Sequence, residues 1–483
     1  MSQNAKDRLQ AIARRAMLER GFEPDLPPQA RQELQRLPAP ALTGLRDLRH
    51  LPWSSIDNED SRDLDQLEVL DEPRNGCRVL LVAIADVDLL VQRQSALDDH
   101  ARTNTTSVYT PAEVFPMLPE ALSTDRTSLN YGDDRAAMVI ELEADANGRI
   151  ATSTAYRALV HNRARLSYPD VGAWLDGAGP APRALSAVPG LDRQIREQDE
   201  LAQQLRDRSH EDGALDLDRV DAQFTVRQDE VEDIAETGHT RARNLIEHFM
   251  VAANGATARY LSDRGSPSIR RVVRTPKRWD RIVEVAARYG TTLPAAPDVL
   301  ALQQFLQVRR VAAPADFSEL SLTIIKLLGS GEYAARAAGA DPEPHFALAT
   351  QAYTHATAPN RRFPDLITQR LLKAALAGQP TPYTLDELTA LAEHCTRQED
   401  AANKVERLVR KAAAALWIGQ RIGDVFDAVV TGAGPKGTWV RLASPPIEGK
   451  LERGFEGLDV GDRVRVRLID TDPDRGFIDF ARS

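Results

Sequence analysis

Cysteine is scarce: the 483 residues hold two, Cys77 and Cys395. Two thiols so far apart in sequence make neither a disulfide framework nor a metal pair, and a reducing cytoplasm suits them. Long apolar runs are lacking too. The best, VLLVAIADVDLLV (residues 79–91), is broken by Asp86 and Asp88, so it reads as a buried strand and not a membrane span. The opening MSQNAKDRLQ has no apolar signal core, and export is not expected. Aromatic residues make up 5% of the chain, and 61 Lys and Arg face 71 Asp and Glu, a formal net charge of −10. That sum argues against nucleic acid as a partner, because affinity for phosphates comes from basic surface. What remains is a cytosolic globular protein of two to four domains, at roughly 100–200 residues per domain.

What is present is unevenly placed. Residues 51–100 carry four basic against twelve acidic side chains, and residues 201–250 six against twelve. Residues 251–300 reverse this with nine against four, as do residues 401–450 with eight against four. An acidic block set apart from basic ones suits a metal site inside a phosphate-binding channel; ordinary charge scatter gives the same picture.

Residues 5–20 put Leu9, Ile12, Ala13, Ala16 and Met17 on one helical face that ends at Gly21, and a second helix runs from about Pro28 to Leu37. This N-terminal piece, residues 1–50, is either a small helix-turn-helix-like unit or a helical appendage packed on the main domain. From Trp53 strands and loops alternate: CRVLLVAIADV is a buried strand, and two more strands meet at an Asn147-Gly148 turn. After about residue 190 the chain reads as mostly helical, closing with a long helix from about Leu385 to Ile418. Residues 421–483 give five short β-rich runs between Gly, Pro and Asp turns, the pattern of a small OB-type barrel. The fold class expected is α+β.

Two constellations carry chemistry. In IDNEDSRDLDQLEVL (residues 56–70), Asp57, Asp63 and Asp65 are threaded among Ile56, Leu64 and Leu67. Carboxylates are costly to bury unless paired or metal-bound, so this is either a half-buried acidic pocket for a hard cation, magnesium above all, or a solvated acidic loop. An EF-hand loop is excluded, with no Gly at its sixth position and no closing Glu in register. In YTHATAPNRRFPDLITQR (residues 353–370), Thr357-Ala358-Pro359 breaks the chain, Arg361 and Arg362 follow, and a helix starts with Pro364 in its first turn. Two guanidiniums there suit an oxyanion or phosphate. His355 reads as a base, a phosphate contact or a structural hydrogen-bonder.

These residues resemble a known family. IDNEDSRDLDQ is similar to the acidic motif of the ribonuclease II / ribonuclease R (RNB) family, I-D-x-x-D-x-R/K-D-L-D-D, and YTHATAPNRRFPDLITQR to its H-A-T-S-P-I-R-R-Y-x-D-L signature. SVYTPAEVFPMLPEALSTDRTSLN (residues 107–130) and NLIEHFMVAANGATARYL resemble two further family segments, in the family's order. The resemblance covers roughly residues 50–420 and implies an RNB catalytic domain over 51–420 followed by an RNA-binding OB domain over 421–483. It implies a processive 3′→5′ exoribonuclease that hydrolyses single-stranded RNA with a free 3′ end to nucleoside 5′-monophosphates. Magnesium, or manganese, would serve at two ions per site, in a cytoplasmic monomer needing no membrane and no obligatory protein partner.

By position, the resemblance makes Asp57, Asp63 and Asp65 the metal-binding carboxylates, with Asp63 and Asp65 catalytic. Arg361 would contact the scissile phosphate, and Tyr109 would stack on the terminal nucleotide, a contact every base accepts. Arg362, His355, Thr357 and Glu247 would join the substrate contacts. Glu247 and Glu406 lie on helices that line the family's channel, or are solvated helix faces. Three departures stand out: Gln66 replaces the motif's last Asp, Asn360 replaces an Ile, and the ~50 helical N-terminal residues leave no room for the family's cold-shock domains. Gln66 motivates a rival, an RNA-binding protein with little turnover. A nuclease that also takes DNA through the N-terminal helices is a second rival, on only nine basic against six acidic residues there.

Overall fold

The apolar stripe within residues 5–20 is helix α1 (Asn4–Glu19) of a computed structural model that describes residues 4–218, 221–227, 230–237, 240–340, 343–435 and 437–483. Leu9, Ile12, Ala13, Ala16 and Met17 are all buried. Helix α2 (Pro28–Arg36) starts on a proline, whose missing N–H does no harm in a first turn. The two helices join different apolar clusters, Ala30 of α2 in one and the α1 stripe in another. Each helix packs on the larger body.

Strands β1 (Arg46–Asp47), β2 (Ser54–Asp57), β3 (Gln66–Arg74) and β4 (Cys77–Ala85) follow. Helix α3 (Ala96–Asn104) and the short pair β5 (Val108–Tyr109) and β6 (Val114–Phe115) precede β7 (Asp134–Ala144), β8 (Ile150–His161) and β9 (Ala164–Ser167). Seven strands make one sheet of order β1-β8-β7-β4-β3-β2-β9, antiparallel throughout except β1 with β8 and β2 with β9. Its centre is buried on both faces. Val79, Leu81 and Ala83 of β4 join one cluster and Leu80, Val82 and Ile84 the other, which is why β4 reads as an unbroken apolar run. The β7–β8 connection is longer than a two-residue Asn-Gly turn. The last ladder pair is Ala144 with Ile150, and Asp145 ties the five residues between them by accepting from the N–H groups of Asn147 and Arg149.

The helical half begins with α4 (Tyr168–Leu175), α5 (Arg183–Ala187) and α6 (Leu191–Glu211). A hairpin the sequence reading missed, β10 (Asp221–Arg227) with β11 (Glu230–Thr237), comes before α7 (Arg241–Asp263). Strand β12 (Ser268–Val272) pairs across three helices, α8 (Trp279–Arg288), α9 (Val299–Ala312) and α10 (Pro314–Leu328), with β13 (Glu332–Arg336). Helix α11 (Phe363–Leu376) lies against one face of the sheet through Phe363, Leu366 and Ile367, and α6 and α7 cover the other. Helix α12 (Leu385–Ile418) starts on a capping box between Thr384 and Glu387 and runs 34 residues.

Strands β14 (Val425–Gly434), β15 (Gly437–Leu442), β16 (Glu448–Arg453), β17 (Arg463–Asp472) and β18 (Phe477–Arg482) close a barrel of order β14-β15-β16-β18-β17. Its interior, with Val440, Val466, Leu468 and Phe480, is plugged by Ala415 and Ile418 at the end of α12. Among the described residues no helix is long and apolar enough to cross a membrane. One irregularity positions the site. β2 bonds β3 only at Ser54 and Glu68, while its other edge runs with β9 from Ser54 to Asp57. The acidic segment spans the resulting gap.

Candidate active site

The link from β2 to β3 is an exposed loop that its surroundings hold still. Arg165 on β9 donates Nη2 to the carbonyls of Glu59 and Ser61, both at 2.7 Å. On the other side Ser128 accepts from the N–H of Leu64 at 3.0 Å and donates to the carbonyl of Arg62 at 3.0 Å. Asp57 ends β2 with its Oδ1 accepting from the N–H of Asn58 and the hydroxyl of Ser61, at 2.7 and 2.9 Å.

Asp65 is 1% exposed and held from two directions by the arginine segment, by the N–H of Asn360 at 2.9 Å and by Arg361 Nε at 3.0 Å. Arg361 is still 44% exposed at its side chain, so its outer guanidinium edge faces solvent while Nε is committed. The Tyr109 hydroxyl donates to Asp63 at 2.8 Å, and the Tyr109 N–H donates to Glu406 of α12 at 3.0 Å. Tyr109 is 41% exposed as a residue. Ladder-like bonds, Ser107 N–H to the Arg361 carbonyl and Phe363 N–H to that of Thr105, clip the two segments together. Four stretches, around residues 57–65, 105–109, 360–363 and 406, thus meet at the splayed end of β2 and β3.

Burial dominates the electrostatics here. It pushes the Asp65 carboxyl up to about 7, against the pull of the Arg361 charge. It raises Asp57 as well, opposed by the Asn58 N–H and the Ser61 hydroxyl. Glu68, two residues along β3 from Gln66, is raised well above the carboxylate range by burial and then by the negative charge of Asp57. Groups raised in this way attract protons or cations.

The other sequence candidates sit elsewhere. His355 Nδ1 is 2.8 Å from the Tyr333 hydroxyl, with ring-edge contacts to Tyr333 and Tyr353, and burial holds it well below the usual imidazole range. Its ring is neutral and bonded within the fold, which fits the structural hydrogen-bonder among its three readings. Arg362 is tied to Asp365 at 2.7 Å, and the Thr357 hydroxyl lies 3.5 Å from the Asn254 amide. Glu247 is exposed on α7. Two residues have places at the site that the sequence reading did not give them. Asn360 bonds Asp65 through its backbone and Thr127 through its side chain, at 2.6 Å. Glu68 hid in a strand whose other residues pack normally; its offset of two from Gln66 was the available signal.

A family model, the RNB domain, matches residues 45–378, well over half of the chain. The chain belongs to the RNB family. A second model, the RNase II-type exonuclease C-terminal S1 domain, matches residues 424–483, the barrel. Ribonuclease R of Escherichia coli (strain K12) is 31% identical over 486 residues, covering 92% of this chain and 58% of that protein. Ribonuclease R of Thermotoga maritima is 29% identical, covering 94% and 68%. Among solved structures, Mycoplasma genitalium RNase R in complex with ribose methylated single-stranded RNA matches with a TM-score of 0.88 at 23% identity, covering 99% of this chain and 78% of that one. The chain therefore spans less than two thirds of the length of the E. coli relative. Two of the motif departures lie at the site: Asn360, whose N–H bonds Asp65, and Gln66, which opens β3 nearly buried, at 6% exposed.

Proposed function

We propose that this RNB protein is a magnesium-dependent, processive 3′→5′ exoribonuclease that shortens single-stranded RNA and releases nucleoside 5′-monophosphates, working as a cytoplasmic monomer. The observation that carries this reading is the Asp65–Arg361 pair, a buried carboxylate clipped to one edge of a guanidinium whose other edge is free for a phosphate. We assign residues 1–50 to a helical appendage, 51–420 to catalysis and 421–483 to RNA binding.

The donor set suits a hard cation. Asp57 and Asp63 are half-buried carboxylates on either side of the loop, and Glu68 is an acid with no hydrogen-bond partner. Among the described residues no three or more His, Cys, Asp or Glu side chains are grouped so that they could hold a metal ion; magnesium is commonly held by one or two carboxylates and completed by substrate phosphate and water. Magnesium, or manganese in its place and at up to two ions, would supply Lewis-acid polarisation of the phosphate and activation of water. The chain's own residues do the rest. Arg361 presents its free Nη groups to the non-bridging oxygens, where negative charge grows during in-line attack. Asp65 holds that guanidinium in plane, and with Asp63 takes up the proton that the attacking water loses. The exposed Tyr109 ring offers a stacking face for the last base, anchored at its hydroxyl by Asp63 and at its N–H by Glu406.

A 5′-labelled RNA of about 30 nucleotides, a 3′-phosphate-blocked twin and Asp65→Asn test the reading. We expect a ladder shrinking from the 3′ end with magnesium, slowed by the block and absent in the variant. One observation favours a second reading, an RNA binder with little turnover: the neutral amide of Gln66 stands where the motif has an acid. Intact RNA that shifts on a native gel would establish that reading instead.

A further inference from the structure

Side chains alternate along β3, so Gln66, Glu68 and Leu70 share one face and Leu67 and Val69 the other. Glu68 is 1% exposed, and neither of its carboxylate oxygens has a hydrogen-bond partner. Directly across the ladder is Ser54, also buried, with its hydroxyl likewise unpartnered. Three oxygens in a protein interior with nothing to bond are costly to hold. Protonating Glu68 removes the charge, but it adds a hydroxyl that needs an acceptor of its own.

What surrounds these oxygens points to a cation. The Asp57 charge bears on Glu68, and both charges bear on the hydroxyl of Tyr168 at the start of α4. Ser54 and Asp57 are the first and last residues of β2, so Glu68, paired across from Ser54, lies within one short strand of the acid that ends it. Arg243 of α7 covers the Tyr168 ring at 4.9 Å and bonds Asn58 at 2.8 Å, closing the far side of the loop. A hard divalent ion prefers carboxylate to amide oxygen, so the exchange of Asp for Gln at position 66 should weaken the site unless another acid enters it. The strand period offers one such position on the same face, and Glu68 occupies it.

We infer that Glu68 is a ligand of the divalent cation together with Asp57, standing in for the acid that the RNB motif carries where this chain has Gln66. The inference rests on the exonuclease reading for the identity of the cation, and it adds a ligand that the motif does not contain.

The test measures manganese binding to the full, RNA-free chain by electron paramagnetic resonance of the free ion, so turnover plays no part. We expect Glu68→Gln to raise the manganese Kd by ~10-fold or more, the range in which support for a metal site is lost. Glu68→Leu, which suits the apolar neighbours of β3, should do the same. The double variant Gln66→Asp/Glu68→Leu should recover the affinity to within a few-fold of the original chain. Manganese should also raise the melting temperature of the original chain and of the double variant, and leave that of Glu68→Gln nearly unmoved. An unchanged Kd in both single variants overturns the inference and makes Glu68 a neutral buried acid. The two readings fail differently: if only the Glu68 assignment is wrong, the original chain still shortens RNA with magnesium, whereas RNA left intact at saturating metal removes the exonuclease reading itself.

Discussion

At the scale of single residues, the site is a set of acids kept out of water. Asp65, Asp57 and Glu68 are all raised by burial, so the folded chain holds their protons more tightly than the unfolded chain does. For Asp65, with an ordinary value of 3.8 and a folded value of about 7, the stabilisation is complete below pH 4 and is lost as pH rises through 7. The span corresponds to up to about 4 kcal/mol. In EDTA, the melting temperature of the original chain should fall relative to that of Asp65→Asn between pH 5 and pH 8. Magnesium should restore more of it at pH 8 than at pH 5; parallel melting curves for the two proteins at both values would refute the argument. The structure brings Tyr109 to Asp63 and Arg361 to Asp65, residues that the sequence offered together because their segments resemble RNB motifs. For His355 a structural hydrogen bond was one of three readings, but its partner was not legible, since Tyr333 lies on a strand 22 residues away.

At the scale of elements, the helices and the sheet follow from periodicity, and the gaps in that reading are instructive. Helix α12 has the bounds its pattern gave, and β4 reads plainly because both of its faces are apolar. The β10–β11 hairpin was hidden in a stretch dominated by charge, where a few alternating apolar residues between long helices carry little signal. The Asn147-Gly148 turn was found but its size was not, because loop length depends on how Asp145 caps the chain. Gly148 has a φ of 71°, and a Cβ there would lie 2.5 Å from the carbonyl carbon of Gln204 in α6. The hairpin tip and α6 are therefore packed backbone to backbone. Gly148→Ala should cost about 1–3 kcal/mol through strain and this clash, read as a lower denaturant midpoint, while Gly177→Ala, with a similar φ and open space around it, should cost less.

At the scale of the whole molecule, α1 is more than a leading segment. Its apolar stripe packs on Ala402, Val405, Val409 and Ala412 of α12 and on Val108 and Phe115 beside Tyr109. Its polar side reaches the barrel, where Arg8 pairs with Asp474 and Arg15 donates to the Asp474 carbonyl. The stripe was visible in sequence; the surface it seats on was not, since that surface is assembled from segments about 100 and 400 residues away. Leu9→Ala should cost about 2–5 kcal/mol as a buried deletion, and Tyr109 should become more accessible to a solvent quencher of its fluorescence; an unchanged melting temperature would contradict the packing. Helix α12 has a further consequence. It carries Glu406 beside the site and ends packed on the core of the barrel, so one unbroken rod sets the angle between the two. At 3.6 residues per turn, a single residue inserted between them turns the barrel by about 100°. Seven residues bring it back nearly into phase about 10 Å farther out. The helix therefore works as a gear: its length can change only in near-whole turns if the barrel is to keep facing the path into the site.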